Sequence, residues 1–119
     1  MKKINILKST EDFERIINSN KAFKYMDYIF YLERKDPSVY NFGISVGKKI
    51  GNAVTRNKYK RRIKNIIDEK SYQNNFNCII IVGKGILNKS FEEMKNNLFE
   101  AFEILDILKE KSIWEERKF

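Results

Sequence analysis

The sequence contains no histidine, one cysteine and one proline among its 119 residues. Without histidine there is no imidazole base, no Ser-His or Cys-His nucleophile pair, and no histidine ligand for zinc. A lone cysteine, Cys78, cannot close an intrachain disulfide or build a thiolate metal site. Set in an apolar run, it reads as a small buried hydrophobe in a reducing compartment. No apolar stretch is long enough to span a bilayer, and residues 1–10 carry basic residues without the apolar core of a signal peptide. The expected location is the cytoplasm. Internal repeats and low-complexity linkers are absent too, so the length and the 42% hydrophobic content point to a single globular domain over residues 1–119.

Acidic residues are missing from one place in particular. Between 48 and 64 stand Lys48, Lys49, Arg56, Lys58, Lys60, Arg61, Arg62 and Lys64, with no Asp or Glu. The remaining 16 Lys and Arg balance the 16 Asp and Glu, so the whole formal charge of +8 resides in this segment. A neutral body with one concentrated basic stripe suits a polyanionic partner, of which nucleic acid is the commonest.

Ser9 followed by Asp12 marks a helix start, and Phe13, Ile16 and Ile17 recur at helical spacing, predicting a helix over 10–18. Residues 25–32 are aromatic and β-branched and read as a strand. A polar stretch with Pro37 over 33–38 reads as the turn to an alternating strand over 39–46, which should pair with the first as a hairpin. A glycine-bracketed basic loop over 47–51 leads to Asn52, a candidate cap. In the helix that follows, Tyr59, Ile63, Ile66 and Ile67 share one face and the cations spread around the other. Asn74 to Asn77 break that helix, and 78–82 reads as a central strand. Gly83-Lys84-Gly85 turns the chain. Ser90 and Glu93 form a capping box for a last helix to about Lys109, with Phe91, Met94, Leu98, Phe102 and Leu105 as its core stripe and a further turn around Trp114. The order α-β-β-α-β-α describes an α+β fold, a two-layer α/β sandwich with a crossover to a parallel neighbour.

Enzyme constellations find little support. Nothing resembles a nucleophile motif, Gly83-Lys84-Gly85 lacks the spacing of a phosphate-binding loop, and Glu92 and Glu93 belong to a solvent face. A charge run is most often solvated surface, but three features distinguish this one. It has no acidic i,i+4 partners and repels itself. It mixes forked arginines with point-charge lysines. It enters a helix N-terminus from a glycine-flanked loop, where free N–H groups favour anions.

The string SVGKKIGNAVTRNKYKRRIK, residues 45–64, closely resembles the signature of the protein component of bacterial ribonuclease P. That family carries K-x-G-x-A-V-x-R-N-R-x-K-R, matched by Lys49, Gly51, Ala53, Val54, Arg56, Asn57, Lys60 and Arg61. The opening helix, the strand ending in Tyr31, the triple isoleucine 79–81 and the last helix arrive in family order, so the resemblance covers nearly the whole chain.

The resemblance implies a subunit of a ribonucleoprotein endoribonuclease. Its catalytic RNA removes the 5′ leader of precursor tRNA with magnesium ions bound mainly by RNA phosphates, while the protein holds no catalytic residue, metal or cofactor. It implies the fold of ribosomal protein S5 domain 2, with a left-handed β-α-β crossover against the usual right-handed rule. Carried over by position, Asn52, Arg56, Asn57, Lys58, Lys60, Arg61, Arg62 and Lys64 would face the catalytic RNA, supported by Lys48 and Lys49. Phe13, Ile17, Tyr31 and Lys84 would belong to a cleft for the single-stranded leader, where stacking tolerates any sequence. Core packing of the first helix on the sheet is the alternative for Phe13 and Tyr31. Four positions depart from the pattern: Lys58 for arginine, Ile17 for an aromatic, Gly47 for serine, and Gly83-Lys84 for Arg-Lys. Two further classes stay open, a ribosomal or RNA-chaperone module and a membrane-surface or general polyanion binder. The latter is disfavoured because no bulky apolar face is left for lipid once Ile63, Ile66 and Ile67 are buried. No DNA partner is expected.

Overall fold

A computed structural model describes residues 5–34 and 39–109. The predicted turn at Pro37 and the segment around Trp114 lie outside the described residues. Helix α1 (Thr10–Ser19) is followed by strands β1 (Ala22–Tyr25), β2 (Tyr28–Glu33) and β3 (Tyr40–Val46). Then come helix α2 (Ala53–Ile67), strand β4 (Phe76–Val82) and helix α3 (Phe91–Leu105). Short 3-10 turns, Lys48–Ile50 and Lys84–Asn88, precede α2 and α3.

All three predicted caps form. The Ser9 hydroxyl accepts from the Asp12 amide, and Asn52 Oδ1 from the Thr55 amide at 3.0 Å. Ser90 and Glu93 exchange two bonds of 3.1 Å in a capping box. That backbone bond from Ser90 also holds the Glu93 carboxyl below its ordinary range. Each cap satisfies a helix-start amide that has no partner within its own helix.

The sheet corrects the predicted order in two ways. One more strand exists: β1 lies ahead of the strand expected over 25–32, sharing only Tyr25 with it, and the chain turns at Met26 and Asp27 into an antiparallel hairpin with Tyr25 opposite Tyr28. Met26 adopts φ 53° without a glycine or asparagine, so the turn has no sequence signature. Nor do β2 and β3 form a hairpin. The sheet order is β1-β2-β4-β3, with β4 antiparallel to β2 and parallel to β3. The apolar run of β4 explains this: Cys78, Ile79 and Ile80 are fully buried, and a strand so apolar on both faces belongs between neighbours. The parallel crossover from β3 through α2 to β4 forms as expected. At the free edge of β3, Ile6 makes a single parallel bridge with Phe42, and the Leu7 amide donates to the Phe42 carbonyl at 2.8 Å.

Helices α2 and α3 cover one face of the sheet. Tyr59, Ile63, Ile66 and Ile67 of α2 and Met94, Leu98 and Phe102 of α3 are buried there with Phe30, Phe42 and Ile80. Phe42 stands at the centre of an aromatic cluster, with ring centroids 5.0 Å from Tyr72, 5.6 Å from Phe76 and 5.7 Å from Phe102. Desolvation in this core pushes the Cys78 thiol up to about 12. Helix α3 stops at Leu105, short of the predicted Lys109, because Asp106 turns left-handed at φ 56°. Arg34 then donates to the exposed carbonyls of Leu105 and Asp106 at 2.9 and 2.6 Å. Helix α1 lies on the opposite face, where Ile16 is fully buried and the Phe13 ring covers Gly43.

Candidate nucleic-acid interface

The basic segment is presented by a turn that the sequence specifies closely. After β3, the Ile50 amide donates back to the Gly47 carbonyl at 3.1 Å, and Ile50 is buried as an anchor. Gly51 has φ 150°, and a side chain there would stand 3.2 Å from the Thr55 Cβ. Glycine is therefore required one step before the Asn52 cap. Lys48 and Lys49 project from this turn into solvent. With no acidic residue in the first turn of α2, its amide dipoles and the loop cations share one sign.

Along α2 the structure sorts the cations by direction. Asn57, Lys58 and Arg61 are exposed on the outer line, with Val54, 79% exposed, at its head. Arg56 is half-buried, and its Nε is sequestered without a hydrogen-bond partner. Arg62 lies on the other flank, its guanidinium 5.4 Å from the Tyr59 ring centroid, where the ring face attracts the charge. Lys60 and Lys64, one turn apart, form the flank nearest the free edge of β3. None of the ion pairs between described residues uses a cation of this segment: Arg15 pairs with Asp12 and Glu33, and Lys95 with Glu69 and Glu92.

Lys60 and Lys64 form one wall of a cleft of about 340 Å³. Phe42 and Ile44 of β3 line it, Ile6, Leu7 and Lys8 of the N-terminal segment bound it, and Phe13 of α1 closes it. Phe13, expected in the leader cleft, thus meets Lys60 and Lys64, expected on the catalytic-RNA side, around one space: an aromatic ring across from two cations, a combination that suits a stacked base beside its phosphates. Phe13 reaches this position because Gly43 leaves room, since a Cβ there would lie 2.6 Å from Phe13 Cζ.

The other candidates stand elsewhere. Ile17 is half-buried one turn farther along α1, outside the cleft lining. Tyr31 is half-buried on the face that α1 covers, and pairs across β4 through Ile79 to Gly43, two strands from the Phe13 contact. Lys84 is exposed in the turn after β4. Because β3 and β4 run parallel and end together at Val46 and Val82, that turn lies beside the one carrying Lys48 and Lys49. These three lysines therefore group at one end of the sheet. Lys8 and the wall formed by Ile6 and Leu7 escaped the sequence reading, since a segment making one bridge shows no periodicity. Among the described residues no three His, Cys, Asp or Glu side chains stand together as a metal site. No helix there is long and apolar enough to cross a membrane.

Comparison with known proteins gives one consistent result. The family model described as Ribonuclease P matches residues 1–106. The ribonuclease P protein component of Streptococcus mutans is 34% identical over 116 residues, covering 97% of this chain and 98% of the relative. The RNase P protein structure from Staphylococcus aureus superposes with a TM-score of 0.79 at 27% identity, covering 88% of this chain and 98% of the other. The RNase P protein of Thermotoga maritima shares the fold, with a TM-score of 0.72 at 22% identity over 80% of this chain and 92% of the other.

Proposed function

The chain belongs to the ribonuclease P protein family, and we propose that it acts there by gripping two RNA surfaces at once, the catalytic RNA and the 5′ leader of precursor tRNA. The outer line of α2, with Asn57, Lys58 and Arg61, takes the catalytic RNA together with Asn52, Arg56 and Arg62. Lys48, Lys49 and Lys84 extend the charge beyond the helix start. The cleft of Phe13, Lys60 and Lys64 takes the leader, with Tyr31 and Ile17 on the same side of the sheet. Leaders differ in sequence, so the grip works through phosphate charge and base stacking, without reading base edges.

The observation that carries this reading is the cleft itself, which sets an aromatic ring opposite two cations of the same helix that displays the outer stripe. One rigid helix can therefore hold both RNAs in fixed relation. The protein's role is positioning. Phosphodiester hydrolysis and the magnesium ions it needs are assigned to the RNA, and the whole acts in the cytoplasm.

The test is magnesium-dependent cleavage of a precursor tRNA by a bacterial ribonuclease P RNA at low salt, with and without the protein. Stimulation, with tighter binding of precursor than of mature tRNA, is expected. RNA binding without either effect would reduce the protein to a general RNA-binding module, and cleavage by the protein alone would place chemistry in the chain.

A further inference from the structure

On the face of the sheet that α1 covers, a line of buried and half-buried polar side chains crosses three strands. Asn41 of β3 donates from Nδ2 to Asn77 Oδ1 of β4 at 3.0 Å. Asn77 in turn donates from its Nδ2 to Glu33 Oε1 of β2 at 2.9 Å. The second carboxylate oxygen of Glu33 accepts from Arg15 Nη1 of α1, and Arg15 Nη2 also reaches Asp12 at 3.3 Å. Glu33 and Asn77 are only 4% and 6% exposed. A carboxylate so enclosed is costly unless its oxygens are satisfied, and each oxygen here has a directed partner.

The chain of bonds ends on α1 two residues from Phe13. Apolar contact alone is non-directional and lets a helix slide or swivel on a sheet. Here α1 is held at two separated points, Arg15 on β2 and Phe13 over Gly43 on β3, and strand spacing puts those points roughly 10 Å apart. Two anchors on one short helix fix its rotation over the sheet, and with it the distance from Phe13 to Lys60 and Lys64.

We infer that Arg15, Glu33 and Asn77 are positioning residues for the leader cleft: their hydrogen-bonded chain sets the angle of α1 and so the width at which Phe13 faces the two lysines. The inference rests on the leader reading above. Arg15 acts through Phe13 and is not itself a ligand of the leader.

The experiment uses the full chain assembled with a bacterial ribonuclease P RNA. Affinity is measured for precursor tRNAs carrying a long leader or a single leader nucleotide. Arg15→Met and Glu33→Gln should each weaken long-leader binding by about threefold to tenfold, the effect of losing one partly exposed charged hydrogen bond. Binding of the short-leader precursor and of the catalytic RNA should not change. Added to Phe13→Ala, Arg15→Met should cost nothing more, because its effect passes through that ring. The sign for Glu33→Gln separates positioning from direct contact. If Arg15 itself gripped a phosphate, neutralising Glu33 would release it and tighten long-leader binding, which would overturn the inference. Equal loss on both precursors, or additivity with Phe13→Ala, would overturn it as well. A wild-type protein that does not distinguish the leaders would instead remove the leader reading on which it rests.

Discussion

Toward α2 and α3 the sheet points Phe30, Phe42, Cys78 and Ile80, all fully buried. Toward α1 the same strands point Glu33, Asn77, Asn41, Gly43, the half-buried Tyr31 and Ile81, and one fully buried apolar side chain, Ile79. Alternation along each strand sends neighbouring residues to opposite faces, so both sets occupy the same few turns of chain. The first face is filled by two helices of 15 residues and an aromatic cluster, and it supplies the stability. The second is covered by one helix of 10 residues, held by the buried Ile16, by the Arg15–Glu33 pair and by a ring over a glycine. That leaves the cleft at its margin. On the proposed reading, stability and binding are divided between the faces of one sheet, and α2 serves both, with isoleucines inward and lysines at the cleft.

The division breaks most visibly at Phe102. Its ring is fully buried against Phe30, Phe42 and Tyr72, so Phe102→Ala should cost about 3–5 kcal/mol of stability. Urea unfolding should show a lower midpoint with the slope retained, and RNA affinity per folded molecule should not change. A loss below about 1 kcal/mol would mean that this face collapses around the vacancy and is not the stabilising one.

Gly43→Ala sharpens the contrast on the other face. The added methyl would meet Phe13 Cζ at 2.6 Å and Leu7 Cβ at 3.3 Å. The far end of the ring can swing away more readily than backbone can, so the stability cost should be about 1–3 kcal/mol, below that at Phe102. The displaced ring should enter or widen the cleft. Binding of long-leader precursor should therefore fall while short-leader binding holds, as read by competition between the two. Equal losses would show that α1 had detached as a whole.

Those two faces were unequally legible in the sequence. The α2 stripe of Tyr59, Ile63, Ile66 and Ile67, and the caps at Ser9, Asn52 and Ser90, are local signals fixed by a few residues' spacing, and each appears where expected. The outer cations follow from the same helical wheel. The position of β4 between β2 and β3 is a long-range pairing choice, and hairpin proximity favoured the wrong neighbour. The Met26 turn lacked the residues that announce a hairpin. The Arg15–Glu33–Asn77 chain joins three elements, while the sequence alone placed Glu33 in a turn and Asn77 in a helix break and gave no signal for Arg15. Within the cleft, Phe13 was visible by resemblance and Lys60 and Lys64 by charge. Lys8 was not, because it reaches the cleft through the edge bridge of Ile6 with Phe42.

Arg61 offers the smallest effect on the fold and the cleanest reading of the outer stripe. It is exposed, and no hydrogen bond or ion pair to the described residues holds it. Arg61→Ala should therefore leave stability within about 0.5 kcal/mol of the wild type. Binding to the catalytic RNA should weaken, and the slope of log affinity against log salt should flatten by about 0.7–0.9, the release of one phosphate's counterion. Leader-length discrimination should persist, because Arg61 lies outside the cleft lining that includes Lys60 and Lys64. An unchanged salt slope would remove Arg61 from the phosphate contacts. A lost leader preference would show that the outer stripe and the cleft are not separable, and that α2 holds a single continuous RNA surface.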